Sequence, residues 1–327
     1  MKNIDLCGFG NGLVDLLYKI SDEELKKYNI NKGEMTLVDA EQQAVLLKQL
    51  ESHTVEMCSG GSAANTIIAF SGFGGVAAYF TMLGNDTLGN FYLEEFRDLG
   101  VELNSRQISD EPTGTCIVLI TPDSERTMIT CLGASAKYEP LDVSEEIISR
   151  SKWLYIEGYK FSEEQGKEAI TKAIEFSKQH GTKVSVTFSD VFITELFRND
   201  LEEIVKQSQL IFCNENEALS YTKTNNFDDA VKILLQQCPN IVVTKGSKGS
   251  FISWENKIYE IPANPVAALD STGAGDMFAA GLLYGLICNN DIENGGKLAS
   301  LAASKIVTQF GARLKDNPEE IKKIIFS

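Results

Sequence analysis

The segment DSTGAGDMFAAG, residues 270–281, constrains the fold of this chain more than any other stretch of its sequence. It follows a strand-like stretch that we predict to end near Leu269, passes through the glycines of 273–275, and enters an apolar helix over 277–288. A glycine-rich turn before a helix exposes several N–H groups on one side, and the helix dipole adds positive potential there. The segment therefore predicts a binding site for a phosphoryl group.

Asp276 lies at the mouth of this predicted helix. A carboxylate at such a position is often the N-cap of the helix. A carboxylate beside an anion site is also placed to take a proton from an attacking hydroxyl group. On the residues alone, the structural cap and the catalytic base remain open alternatives.

The second half of the chain alternates short apolar runs with helical patterns. Strands are predicted over 153–158, 183–188, 210–213 and 241–244, with helices over 163–180, 201–207 and 227–237. This alternation is typical of β-α-β units and a mostly parallel sheet, which binds ligands at the carboxyl ends of its strands. We therefore predict an α/β fold.

The first 135 residues are less regular. Strands are predicted over 35–38, 114–120 and 126–131, with a hairpin turn over 121–125. Strands without crossover helices usually pair antiparallel. We predict a small β-rich subdomain, built from about 12–39 and 105–132, that is inserted into a single α/β domain spanning 1–327 and is able to close over it.

The composition excludes several classes of function. The chain has 46 acidic and 30 basic residues, and its formal charge of −16 disfavours nucleic acids and anionic membranes as partners. Two histidines, His53 and His180, are too few for His-rich metal sites or most catalytic triads. Seven cysteines without a C-x-x-C pair argue against a disulfide framework. The chain shows neither a signal-peptide pattern nor a membrane-spanning run, so we expect a cytoplasmic protein.

Three further segments suit ligand binding but are ambiguous when taken alone. They are SGGSAANT (59–66) at the start of a helical run, NENE (214–217) after a predicted strand, and TKGSKG (244–249) after another. Their structural interpretations are helix packing, a solvated helix start and a β-turn. The chain has no G-x-x-x-x-G-K-[ST] P-loop, so phosphoryl transfer would need another scaffold.

Taken in order, the segments GGSAANT, GNDTLG, NENE, TKGSKG and DSTGAGD resemble the ribokinase and adenosine kinase family of small-molecule kinases, also called the PfkB family. DSTGAGD is close to the family signature D-T-x-G-A-G-D, with Ser271 as a conservative departure. The resemblance covers nearly the entire chain. It implies a ribokinase-like three-layer α/β/α core with a mostly parallel central sheet and a small β-sheet lid. It also implies an ATP-dependent kinase with an alcohol acceptor, assisted by Mg²⁺ and by a monovalent cation such as K⁺.

The resemblance implies a role for each matching position. Asp276 would be the base that activates the acceptor hydroxyl, beside an anion hole formed by Gly273, Ala274 and Gly275. The acceptor would be bound by Asp15, Gly60, Gly61, Asn65 and Arg126. The nucleotide would contact Asn214, Glu217, Thr244, Gly246 and Gly249, with Glu217 holding Mg²⁺ through water. Asp270, Thr272 and the backbone near Gly311 match the monovalent-cation site.

Within the family, GFGNGLVDLLYKISDEEL, KGEMTLVDAEQQ and PDSERTMITCLGAS resemble the bacterial adenosine-kinase-like branch. The implied acceptor is the 5′-hydroxyl of a nucleoside, adenosine before others. The alternatives are a sugar kinase acting on ribose, fructose or a related ketose, and a non-catalytic nucleoside-binding relative. Five aromatic residues lie near predicted strand ends, although core packing is the better expectation for each: Phe9, Tyr155, Tyr159, Phe161 and Phe188. We expect a monomer or homodimer without nucleic-acid or membrane partners.

Overall fold

The computed structural model describes residues 2–123 and 125–326. Its strands are β1 (Ile4–Phe9), β2 (Leu13–Lys19), β3 (Met35–Leu37), β4 (Val55–Gly60), β5 (Ala77–Gly84), β6 (Glu102–Ile108), β7 (Gly114–Ile120), β8 (Arg126–Cys131), β9 (Ser151–Glu157), β10 (Lys183–Thr187), β11 (Leu210–Asn214), β12 (Ile241–Thr244), β13 (Ser250–Trp254) and β14 (Lys257–Ile261). They form two sheets.

The helices connect and cover these sheets. They are α1 (Asp22–Lys27), α2 (Ala40–Leu50), α3 (Ser62–Gly72), α4 (Thr87–Asp98), α5 (Glu145–Arg150), α6 (Glu164–His180), α7 (Val191–Leu196), α8 (Arg198–Val205), α9 (Glu215–Thr222), α10 (Phe227–Gln237), α11 (Ala274–Cys288), α12 (Ile292–Ile306) and α13 (Pro318–Ile325). Within 2–123 and 125–326, no helix combines the length and apolar character that crossing a membrane requires.

Nine strands form the large sheet, in the order β14-β13-β12-β11-β10-β9-β1-β5-β6. The strands from β6 across to β12 pair in parallel, and β13 and β14 add an antiparallel hairpin at one edge. The central strands are buried over nearly their whole length, as expected when helices cover both faces of a parallel sheet. The predicted mostly parallel central sheet is confirmed.

Helices lie on both faces of the large sheet. Alternate residues of β5 show the two faces: Ala77 and Tyr79 join the hydrophobic cluster that includes α3, α4, α11, α12 and α13, whereas Ala78 and Phe80 join the cluster that includes α5 to α10. This alternation follows from the two-residue period of a strand. The arrangement is the predicted three-layer α/β/α core.

The smaller sheet has five strands, in the order β3-β8-β7-β2-β4. The antiparallel pairing expected of these strands occurs between β7 and β8 and between β2 and β4. The pairs β2–β7 and β3–β8 are parallel instead. The reason is that long stretches of chain, which include parts of the core, connect the members of each parallel pair and allow the chain to return in the same direction.

The structure differs from the predicted segments in three places. The strand β4 lies outside 12–39 and 105–132 but forms one edge of the smaller sheet, whereas β6 reaches into 105–132 but belongs to the large sheet. The prediction of a strand that ends near Leu269 is wrong, because the described chain is irregular between β14 and α11. The hairpin turn predicted over 121–125 includes Ser124, which lies outside the described residues.

The two faces of the smaller sheet have different environments. Val14, Leu16 and Ile117 lie in the hydrophobic cluster that also contains residues of α1 and α2. The opposite face carries Asp15 and Arg126, which line a cavity beneath the sheet. Because side chains alternate along a strand, one strand can both anchor the sheet and contribute to this cavity.

Candidate active site

Two cavities, each of about 510 Å³, meet at the N-terminus of α11. The "sheet cavity" lies under the smaller sheet and is lined by Asp15, Asn65, Glu157 and Asp276, among others. The "helix cavity" is lined by the loop after β12, the segment 263–268, and residues of α11 and α12. Ser271 and Gly275 line both cavities, so the glycine-rich turn forms their common boundary.

Asp276 lines the sheet cavity from the first turn of α11. Its carboxylate accepts hydrogen bonds from Ser62 Oγ at 2.7 Å and Asn65 Nδ2 at 3.1 Å. Burial raises the pKa of Asp276 to about 6, although both hydrogen bonds lower it. The N-cap of α11 is Gly273, so the interpretation of Asp276 as the cap is wrong. An ionised carboxylate with a raised pKa is well suited to act as a general base.

The turn that precedes Asp276 requires glycine at position 273. Gly273 has a φ of +76°, and a Cβ there would lie 2.9 Å from the Cβ of Ala312. The Ala274 N–H donates to Ser271 O at 3.2 Å and is therefore used inside the turn. Among the predicted anion-hole donors, Gly273 and Gly275 are consequently the better candidates for holding a phosphoryl group.

Asp15 faces the sheet cavity from β2, and Gly60 makes room for its carboxylate. A Cβ at Gly60 would lie 2.4 Å from Asp15 Oδ1. Gly61 has a φ of +104°, and a Cβ there would lie 2.0 Å from the carbonyl oxygen of Asn11. Burial raises the pKa of Asp15 to about 6 against the opposing charge of Arg126. The two glycines of SGGSAANT therefore allow close approach of the Asp15 carboxylate and the Asn11 backbone, and their contact with an acceptor stays a prediction.

Asn65 brings the second predicted site segment into contact with the first. Its Nδ2 donates to Asp276, as described above, and its side chain is buried at the border of the sheet cavity. Its Oδ1 is buried without a hydrogen-bond partner among the described residues. Since buried polar atoms normally have a partner, Asn65 Oδ1 is available to a donor on a ligand.

Sequence reasoning missed Asn11 and Glu157, which also line the sheet cavity. Glu157 ends β9, and its carboxylate accepts the Ala63 N–H at 2.8 Å and Asn11 Nδ2 at 3.1 Å. Burial raises the pKa of Glu157 to about 7. The available signal was a lone carboxylate at the carboxyl end of the otherwise apolar run WLYIEG.

A fully buried lysine lies behind these residues. Lys160 Nζ donates to Asn11 Oδ1 at 3.2 Å, to Ser135 O at 2.9 Å and to the carboxylate of Glu163. A buried ammonium group is stable only when it is paired and hydrogen-bonded. Lys160 therefore orients the amide of Asn11, which in turn donates to Glu157.

Arg126 and Asp270, predicted to bind the acceptor and a monovalent cation, form a buried ion pair with each other. Asp270 also accepts the N–H of Thr272 at 2.9 Å and that of Gly311 at 3.2 Å. Arg126 lines the sheet cavity as well. The guanidinium group already occupies this buried carboxylate with a positive charge, so the residues present do not fit an alkali cation beside it.

Asn214 and Glu217 form a capping box at the start of α9. The Glu217 N–H donates to Asn214 Oδ1 at 2.9 Å, and the Asn214 N–H donates to Glu217 Oε2 at 3.0 Å. Burial raises the pKa of Glu217 to about 7. Both residues line the sheet cavity beside Asp190, whereas the other predicted nucleotide contacts line the helix cavity.

The donor set around Glu217 suits only a loosely held metal ion. No group of three or more metal-ligating His, Cys, Asp or Glu side chains occurs in the described part of the chain. Mg²⁺ commonly keeps several waters and binds through one or two carboxylates and the phosphates of a substrate. Glu217 with the nearby amide of Asn214 fits this mode of binding.

The helix cavity contains the remaining predicted nucleotide contacts, Thr244, Gly246 and Gly249. Gly249 has a φ of +88°, and a Cβ there would lie 2.2 Å from Ile261 O, so the loop between β12 and β13 requires glycine. Much of the remaining wall is apolar and was not predicted: Ala263, Pro265, Val266, Ala268, Phe278, Ala303 and Val307. Such a wall suits an aromatic base.

Four of the five aromatic candidates, Phe9, Tyr155, Phe161 and Phe188, are buried in the core. Tyr159 lines the sheet cavity, and so does Phe192, which was not predicted. The smaller sheet and the chain after it add an apolar wall: Leu13, Met35, Leu37, Val118, Met128 and Leu132. The sheet cavity therefore has both a charged floor and an apolar side.

Comparison with known proteins finds the same architecture in kinases. A model of the pfkB family of carbohydrate kinases matches residues 33–320. The crystal structure of a probable sugar kinase from Rhizobium etli CFN 42 superposes with a TM-score of 0.91 at 32% identity, covering 99% of both chains. That of adenosine kinase from Sinorhizobium meliloti superposes with a TM-score of 0.90 at 31% identity, also covering 99% of both. Adenosine kinase from Saccharomyces cerevisiae is 26% identical to this chain, and the alignment covers 94% of this chain and 95% of the yeast protein.

Proposed function

Because the chain belongs to the pfkB family of carbohydrate kinases, whose members phosphorylate an alcohol with ATP, we propose that its acceptor is the 5′-hydroxyl of a nucleoside, adenosine before others. The observation that carries this proposal is the position of Asp276. Its carboxylate lines the sheet cavity, which is suited to a sugar-bearing acceptor, directly after Gly275, which also lines the helix cavity suited to a nucleotide.

Asp276 would take the proton of the acceptor hydroxyl as its oxygen attacks the γ-phosphorus of ATP. The bond between that phosphorus and the oxygen bridging to the β-phosphate breaks, and ADP leaves. The N–H groups of Gly273 and Gly275 at the start of α11 would stabilise the charge on the transferring group. Mg²⁺, held through water by Glu217 with Asn214, would neutralise phosphate charge when it is bound.

The two kinds of surface in the sheet cavity support a nucleoside acceptor. Asp15 and Asn65 offer hydrogen-bonding groups for ribose hydroxyls, and Asn65 Oδ1 lacks a partner among the described residues. The apolar side that includes Met35, Val118 and Phe192 suits the flat faces of a purine. A free sugar has less apolar surface than a purine to cover this side, and any hydroxyl that faced it would be left unpaired.

A sugar acceptor is the second candidate. It is favoured by the likeness to the probable sugar kinase from Rhizobium etli, which matches this chain as fully as the adenosine kinase does. The same residues, Asp276 and Asp15, would then act on ribose, fructose or a related ketose. Only the use of the apolar wall would differ.

We further propose that the smaller sheet acts as a lid. Its cavity-facing side carries Asp15 and Arg126, and it covers the carboxylate of Asp276. Closure around the acceptor would exclude water, which otherwise competes as a phosphoryl acceptor. The cytoplasmic location and the choice between monomer and homodimer stay predictions.

The experiment that tests the proposal is an ATP-coupled turnover screen with Mg²⁺ against adenosine, guanosine, inosine, cytidine, ribose and fructose. We expect the highest kcat/KM with adenosine and a product phosphorylated on the 5′-oxygen. Turnover of a free sugar alone would contradict the nucleoside assignment but keep the mechanism. Nucleoside binding by calorimetry without any turnover would favour a non-catalytic relative.

A further inference from the structure

The Asp270 carboxylate, which matches the family's monovalent-cation site, is already surrounded by donors from the protein. Its Oδ1 accepts the Thr272 N–H at 2.9 Å. Its Oδ2 accepts the Gly311 N–H at 3.2 Å and a hydrogen bond from Arg126 Nη1. Both carboxylate oxygens therefore have partners, and one partner carries a full positive charge.

The ion pair is buried on both sides. The side chains of Arg126 and Asp270 are 7% and 4% exposed. A second cation beside this carboxylate would lie close to the guanidinium group, with little water to screen the repulsion.

We propose that the guanidinium group of Arg126 takes the place of the alkali cation in this chain, so that the enzyme needs no K⁺. Arg126 belongs to β8 of the smaller sheet, and Asp270 begins the turn that leads into α11, 144 residues further along the chain. The pair therefore fixes the start of the phosphate-binding turn with a charge supplied by the smaller sheet.

The same guanidinium group retains capacity for a ligand. Its Nε is buried without a hydrogen-bond partner among the described residues, and Arg126 lines the sheet cavity. The Nη1 group of the guanidinium holds Asp270, while the Nε–H group remains for an oxygen of the acceptor or of the transferring phosphate. A planar group with several donors can serve both functions, which a bare K⁺ ion cannot.

The first test uses the unmodified protein in KCl and in tetramethylammonium chloride at equal ionic strength. We expect the Tm to agree within about 1 °C, since a ligand that does not bind the native state does not stabilise it. Titration calorimetry should show no saturable K⁺ binding, and turnover should differ by less than about twofold. Saturable K⁺ binding with a K⁺-specific rise in Tm, or activation of about tenfold or more, would overturn the proposal.

Variants test whether Arg126 occupies a cation position. Arg126→Met leaves Asp270 buried and unpaired, so its Tm should fall by roughly 5 °C or more and should rise again specifically with K⁺. The matched double variant Arg126→Met/Asp270→Asn removes both charges and should regain stability without responding to K⁺. Absence of a K⁺-specific gain in the single variant would contradict the proposal.

A conservative variant covers the case in which Arg126→Met does not fold. Arg126→Lys keeps the positive charge and should remain insensitive to K⁺, whereas a K⁺-stabilised Lys variant would count against the proposal. The inference rests on the proposed function only for its turnover measurement. Unfolding and calorimetry need neither acceptor nor ATP, so failure to find a nucleoside substrate would be a separate result.

Discussion

The two cavities that meet at α11 differ in how they are built. The sheet cavity collects charged and amide side chains from distant parts of the chain, including Asp15, Glu157 and Asp276. The helix cavity is formed largely by the continuous stretch 244–278 and by α12, and its wall is mostly apolar. Under the proposed function, one cavity would perform the chemistry and select the acceptor, while the other would supply affinity for a nucleotide.

Asp276→Asn should have the largest effect on the sheet cavity, because it removes the proposed base and retains the size of the side chain. We expect kcat to fall by at least about a thousandfold, while the Kd of the acceptor changes little. Steady-state kinetics and calorimetry measure the two effects. The exposed carboxylate of Asp229 offers a matched control, since Asp229→Asn should leave turnover unchanged.

The pH dependence gives a second readout of the same carboxylate. With its pKa raised to about 6, Asp276 loses its capacity to accept a proton as the pH falls through that value. We expect kcat to decrease about tenfold per pH unit below about pH 6. A pH-independent kcat over this range would argue against Asp276 as the base.

Lys160→Met tests whether the buried lysine behind the sheet cavity is needed for acceptor binding. Removing one partner of a buried pair should lower the free energy of unfolding by about 3 kcal/mol, because Glu163 is left unpaired. The acceptor KM should rise because Asn11 Oδ1 loses one of its two donors and keeps only Ser135 Oγ, with the ATP KM unchanged. Adding Glu163→Gln should recover stability but not the acceptor KM; recovery of both would mean that Lys160 has only a structural role.

Asp15→Ala should weaken acceptor binding alone, because only the sheet cavity loses a hydrogen-bonding carboxylate. The expected loss is about 1.5–3 kcal/mol, the scale of hydrogen bonds to a charged group. Calorimetry with the acceptor and with an ATP analogue separates the two cavities. The exposed Glu56→Ala on the neighbouring β4 serves as the control, and an unchanged acceptor Kd for Asp15→Ala would exclude Asp15 from the site.

Val266→Ala should give the smallest effect and should be confined to the helix cavity. Val266 is 46% exposed, so truncation should cost about 0.5–1 kcal/mol of nucleotide affinity, or a two- to fivefold rise in the ATP KM. The acceptor KM should not change. The matched control is Leu196→Ala, an exposed apolar residue outside both cavities; a rise in the acceptor KM for Val266→Ala would refute the division of roles.

Much of the fold followed from local patterns. The strand 241–244 and the helix 227–237 were predicted with the bounds that the structure has, and the predicted helix 163–180 differs by one residue at its start. The central strands β1 and β5 were not predicted, because the first third of the chain lacks a regular strand–helix alternation. The edge strand β4 was not predicted either, because its first three residues are exposed and its sequence VEMCSG lacks a regular apolar pattern.

Only part of the candidate site was predicted from the sequence. The glycine-rich segments were predicted because only glycine readily adopts the backbone conformation of Gly61 or Gly249, and this requirement is visible in the sequence. Lys160 was not found, since nothing in its neighbourhood distinguishes it from a surface lysine. Its 0% exposure is a property of the packed chain.

The sequence by itself determined the glycine-rich turn before α11, the alternation of strands and helices, and the family, because these depend on residues that are close along the chain. The tertiary structure alone decided which charges meet. Asn65 reaches Asp276 across 211 residues, and Arg126 reaches Asp270 across 144. Such contacts depend on how two sheets are placed against each other, and a guanidinium group that looks like a substrate ligand in the sequence thereby becomes the partner of a predicted cation ligand.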